Sequence, residues 1–164
     1  MRIAGRHTRT IWPTADRRGV EGIDQKRLPH EGATVGIDSL EAAAVAIRSM
    51  QVRGAPLIGV TAAYGLAIGL ARDASDGALA AAISHLAAQR PTAVNLAWAL
   101  EEVRKVVAPL PVGERARAAF AAAARIADED VEACRRIGTH GLALIRSIAA
   151  GKPEGSRVNV LTHC

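Results

Sequence analysis

Two short stretches combine the residue types that hold an anion: Arg53-Gly54-Ala55-Pro56 and Arg90-Pro91-Thr92-Ala93. Each sets an arginine just ahead of a proline suited to the first turn of a helix, where a missing N–H costs nothing. Unpaired backbone N–H groups and the positive end of the helix dipole would then point out beside a guanidinium, which is an anion-binding arrangement. Gly54 allows close approach to the backbone, and the planar fork of Arg53 matches two phosphate oxygens. Two such mouths converging on one point would clamp a phosphate. The same pattern also has a plainer use, in which the arginine closes the carboxyl end of the preceding helix or meets water, and Thr92 and Asn95 serve as caps.

A third candidate is Cys164, at the carboxyl end of the apolar stretch Val158–Leu161, where open α/β sheets place their ligands. Nearby positive charge or a helix N-terminus would lower the pKa of a thiol there. His163 is adjacent in sequence but on a strand would face the other way, so the two do not pair as base and nucleophile. Cys134, between Val131 and Ile137 in a helical pattern, reads as a small core residue. His85 and His140 fall on helices without a partner at metal-ligand spacing, and His30 follows a proline in a loop.

The elements that position these residues follow from pattern. The chain is 49% hydrophobic but 2% aromatic, so its core must be Ala, Leu, Ile and Val, which favours closely packed helices. Residues 1–37 read as two or three short strands around a loop. Asp38 caps a helix over "DSLEAAAVAIRSMQV", with Glu41 at capping-box spacing, Leu40, Ala44, Ile47 and Met50 or Gln51 on its buried face, and Gly54 as its stop. Pro56–Leu70 is a second helix, almost without polar side chains, with Gly59, Ala62 or Ala63, Leu66 and Gly69 along one side. "ALAAAISHLAAQ" and "AVNLAWALEEVRKVV" follow, the latter with Leu96, Leu100, Val103 and Val107 on one side. Gly113–Ile148 is one long helix or one broken near Asp128. "AAGKPEGSR" is a linker, and "VNVLTHC" a buried strand that needs sheet neighbours. The expected fold is therefore α/β: a small, mostly helical α+β domain over 1–150, then over 151–164 a linker and the first strand of a truncated Rossmann-like domain.

Composition excludes several classes. The net charge of +5 comes from 21 Lys and Arg against 16 Asp and Glu, but the basic residues are scattered and no aromatics interleave them, against nucleic-acid binding. Solvated arginines, with a few at an anion site, account for the charge. Two cysteines in different contexts suggest neither disulfides nor zinc, and fit a reducing cytosol. No apolar segment follows Arg2, Arg6 and Arg9 as in a secretory signal, and Pro56–Leu70 is shorter than the ~20 residues of a membrane span.

Five stretches together resemble the methylthioribose-1-phosphate isomerase family: "IDQKRLPHE" at 23–31, "VRGAPLIGVTAAYGLA" at 52–67, "RPTAVNLAWAL" at 90–100, "CRRIGTHG" at 134–141 and "NVLTHC" at 159–164. The resemblance implies that Arg53, Gly54, Ala55 and Arg90 bind substrate and that Cys164 is catalytic. It also implies a catalytic aspartate in a second, Rossmann-like domain, at no position of these 164 residues, so that this length alone should be inactive. The implied protein is a cytoplasmic homodimer without metal or other cofactor, converting 5-methylthioribose 1-phosphate to its 2-ketose isomer in methionine salvage. Two rivals stand beside it. One is an isomerase of ribose 1,5-bisphosphate or 5-deoxyribose 1-phosphate; the other is a non-catalytic subunit like those of translation initiation factor 2B.

Overall fold

The computed structural model describes residues 2–3 and 5–163. Strands β1 (Arg2–Ile3) and β2 (Arg6–His7) pair antiparallel. A three-stranded antiparallel meander follows, β3 (Ile11–Pro13), β4 (Val20–Ile23) and β5 (Thr34–Ile37), with Trp12 opposite Glu21 and Val20 opposite Ile37. One face of the meander buries Ile11, Val20 and Ile37 against the helices. Trp12 stands on the other face and donates its Nε1–H to Glu21 Oε2 at 3.1 Å.

Helix α1 (Leu40–Arg48) starts one residue later than expected. Ser39, not Asp38, is the cap, because it holds the extended backbone and its hydroxyl accepts the Ala42 N–H at 3.1 Å. The helix also ends well before Gly54. Met50 turns the chain at φ 63° and is 43% exposed, so it does not extend the apolar face.

Helix α2 (Ala55–Leu70) is the centre of the molecule: Leu57 through Ile68, and Leu70, are all buried. It packs on α1, on α3 (Asp76–Ala87) and on α4 (Val94–Val107). Glycines set two of these approaches. A Cβ at Gly65 would sit 2.5 Å from the Ala43 Cβ, and one at Gly59 would sit 2.7 Å from the Asn95 carbonyl oxygen. On α4 the expected stripe Leu96, Leu100, Val103 and Val107 is buried.

Helix α5 runs unbroken from Val112 to Ala150. Contacts divide the chain into two compact units, Met1–Ala127 and Asp128–Cys164. In the first, Ala119, Ala122, Ala123 and Ile126 of α5 enter the core, and Phe120 meets Tyr64 with ring centroids 6.2 Å apart. Arg115 is buried there too, which corrects the reading of the arginines as solvated. In the second unit α5 exposes Val131, Cys134 and Ile137. Cys134 is therefore not a core residue: among the described residues, nothing of this half of the helix is buried. Residues 158–163, expected to be a buried strand, are neither paired nor buried, and Leu161 is 98% exposed. A strand exists by its ladder, and none of the described strands pairs with these residues.

Candidate anion-binding site

The starts of the helices α1 to α4 are of two kinds. Those of α1 and α3 are closed by their own sequence: Ser39 and Ser75 accept backbone N–H groups, and Glu41 and Asp76 place a carboxylate in the first turn. Both border a surface cavity of about 550 Å³ near the end of α2, lined by Leu40, Glu41, Gly69, Arg72 and His85. There His85 Nε2 lies 2.9 Å from Glu41 Oε2. The starts of α2 and α4 have neither a side-chain cap nor an acidic residue in the first turn. In α2 the first ladder bond runs from Ile58 N–H to Gly54 at 3.0 Å, leaving the N–H groups of Ala55 and Leu57 ahead of the ladder. In α4 the Leu96 N–H reaches back to Ala93 at 3.0 Å, leaving those of Val94 and Asn95.

These two open starts are neighbours. The Gly59–Asn95 contact lies four residues into α2 and one into α4, about 6 Å and about 1.5 Å along the respective axes. Only glycine lets the helices meet there. Replacing Gly59 by Ala gains about 1 kcal/mol of helix propensity but drives a methyl into a backbone oxygen, an overpacking cost of about 1–3 kcal/mol. The expected result is a net loss of stability, read by urea unfolding. Gly138→Ala, on an α5 position with nothing within 4 Å, should instead stabilise, by up to about 1 kcal/mol.

Arg53, Gly54, Ala55 and Pro56 are exposed at the start of α2, and Gly54 holds φ 95°, a conformation that disfavours any side chain. Arg90 is half-buried three residues before the cap of α4, and its carbonyl accepts the Ala93 N–H at 2.9 Å. Both arginine segments are tied to the last turn of α1. Arg53 follows it in the chain, and Arg48 donates to the side chain of Gln89, next to Arg90, at 2.8 Å. Thr92 and Asn95 do not cap α4; Ala93 occupies that position without a side-chain bond.

Pattern reading missed the residues that brace this mouth. Gln25 donates its backbone N–H to the Gln51 carbonyl at 2.9 Å and its Nε2–H to the Arg53 carbonyl at 3.2 Å. Gln51 in turn donates to Asp24 Oδ2 at 3.2 Å. Cys164 lies outside the described residues, and His163, beside it, is exposed. Among the described residues no three His, Cys, Asp or Glu side chains gather as a metal ligand set, and no helix is long and apolar enough to cross a membrane.

The model of the initiation factor 2 subunit family matches residues 51–164, from the turn ahead of Arg53 through Cys164. The chain belongs to this family. Curated relatives match it over all 164 residues. The methylthioribose-1-phosphate isomerases of Methylobacterium nodulans, Methylocella silvestris and Escherichia coli O45:K1 are 57%, 54% and 52% identical. The match covers 44–45% of those proteins, so the chain spans a little under half their length. Among solved structures, the 5-methylthioribose 1-phosphate isomerase of Pyrococcus horikoshii superposes with a TM-score of 0.74 at 38% identity, over 81% of this chain and 39% of that one. The translation initiation factor eIF-2B subunit delta of A. fulgidus gives 0.70 at 32%, over 77% and 38%.

Proposed function

We propose that this family member is the phosphate-binding front part of a sugar-phosphate aldose–ketose isomerase, with 5-methylthioribose 1-phosphate as substrate and the corresponding ribulose phosphate as product. Arg53 and Arg90 are its guanidinium clamp, the backbone at Gly54 and Ala55 supplies N–H donors, and Cys164 is a proton-transfer group. The observation that carries the reading is the meeting, at Gly59 and Asn95, of the two helix starts without a cap or a carboxylate. A dianion there would find several donors and no competing carboxylate in either first turn. The names of the relatives, at above 50% identity, point to the same substrate.

The phosphate of such a substrate is esterified to the anomeric oxygen, so the ring cannot open to a free aldehyde. An acid must assist cleavage of the ring bond, and a base must then move the C2 proton or allow a hydride shift. Cys164 and an aspartate from the further length that the relatives carry would divide those roles, tuned toward neutrality by an apolar pocket. Nothing in this division calls on a metal or nicotinamide. A cytoplasmic homodimer is the expected setting of the full-length enzyme.

The test is Arg53→Ala in a full-length form of the enzyme. KM for 5-methylthioribose 1-phosphate should rise by the worth of a charged hydrogen bond, about 1.5–3 kcal/mol or roughly 10- to 150-fold. An unchanged KM would remove Arg53 from the phosphate site. Assaying ribose 1,5-bisphosphate and 5-deoxyribose 1-phosphate beside it decides which 5-substituent is accepted. The likeness to the eIF-2B delta subunit favours a second reading, a non-catalytic scaffold, which predicts turnover of none of the three sugars.

A further inference from the structure

We propose that Gln25 is a positioning residue that decides whether the start of α2 shows an anion a donor or an acceptor; this rests on the phosphate-binding reading above. The Arg53–Gly54 peptide is the last before the helix. In a trans peptide the carbonyl and the N–H point in opposite directions, so the group that captures the Arg53 carbonyl also aims the Gly54 N–H. The Gln25 side-chain amide is that group, at 3.2 Å. Gly54 at φ 95° carries no Cβ and has nothing within 4 Å of where one would stand, so on the glycine side no side chain resists rotation of this peptide. Without the Gln25 donor the peptide is free to turn over, putting the Arg53 carbonyl oxygen where the Gly54 N–H had been and setting a partial negative charge against the phosphate.

Gln25 is built to hold still. It follows Ile23, which is 1% exposed at the end of β4. Its own N–H is bonded to Gln51, across the turn that carries Arg53. Asp24 fastens the segment from both sides: Oδ1 accepts the Lys26 N–H at 3.0 Å, Oδ2 accepts from Gln51, and the carbonyl accepts the Arg27 N–H at 3.2 Å. The bracing runs from the buried sheet, through residues 24–27, to one peptide at the mouth of α2. The bond ends on the peptide between Arg53 and the positive-φ Gly54, the last before the helix.

The experiment compares the 164-residue chain with its Gln25→Leu variant, which keeps the bulk and removes the donor. Inorganic phosphate is titrated into each, and the backbone amide resonance and coupling constants of Gly54 are followed by NMR. The expected result is binding weakened about tenfold, on the scale of one hydrogen bond to a charged group, with a displaced or exchange-broadened Gly54 resonance already visible without phosphate. Gln25→Glu, of equal length but unable to donate when ionised, should displace the same resonance. Equal phosphate binding by parent and variant, or a Gly54 resonance unmoved in both variants, overturns the proposal. If the parent itself binds no phosphate, the functional reading fails, and the Gly54 resonance alone still decides the positioning claim.

Discussion

Serine in place of Cys164 is expected to leave KM near its parent value and to lower kcat by about 10²–10⁴, the worth of a positioned proton-transfer group. The two side chains are nearly the same size, so the substitution changes acidity with little change in shape. A thiol with a reference pKa near 8.5 needs only a modest shift to exchange a proton near neutrality, whereas a serine hydroxyl does not ionise there. The measurement is turnover of 5-methylthioribose 1-phosphate at saturation in the full-length form. Activity within a few-fold of the parent would take the thiol out of the chemistry and assign proton transfer to another group.

The second large effect is on stability. Arg115→Met should destabilise the fold by on the order of 3 kcal/mol, seen as a lower urea midpoint with an unchanged slope. The guanidinium donates to three backbone carbonyls: Leu110 at 3.0 Å, Ala74 at 2.9 Å and Ala108 at 3.2 Å. It thereby pins the loop before α3 to the loop between α4 and α5. Methionine fills the space of the stem but offers no donor, and a buried carbonyl left unpaired, as at Ala74, costs about 1–3 kcal/mol, with smaller losses at the part-buried carbonyls of Leu110 and Ala108. The 2.7 Å ion pair with Asp76 adds little, because that carboxylate is 89% exposed. Asp76→Asn should therefore cost no more than about 1 kcal/mol, most of it the carboxylate's interaction with the start of α3. A loss below 1 kcal/mol for Arg115→Met would mean that water replaces the guanidinium at all three carbonyls.

What could be read from the sequence was what depends on local pattern. The stripe on α4 was legible because one face of that helix is apolar and the other charged, and α2 was legible as buried because it has almost no polar side chains. The Arg-Gly-Ala-Pro start was legible because proline and glycine announce a helix boundary. What failed depended on partners distant in sequence. Arg115 reads as one more surface cation until the loops at Ala74 and Ala108 fold around it. Gln25 and Gln51 carry no periodicity, and their use arises only when a loop after β4 meets the turn after α1. Cys134 was assigned to a core because its neighbours are apolar, but apolar character buries a residue only where there is something to pack against. The one-residue error at Ser39 was local: Asp and Ser are both good caps, and backbone conformation chose between them.

The burial of α2 on every side but its first turn links the candidate site to the melting of the whole unit. A ligand held at that turn binds a structure that exists only while the central helix is packed, so binding is drawn directly from the unfolding equilibrium. A phosphate ester at a hundred times its dissociation constant should therefore add about 2.7 kcal/mol to the free energy of unfolding. Thermal denaturation then becomes a screen for the natural ligand of this chain that needs no assay of turnover.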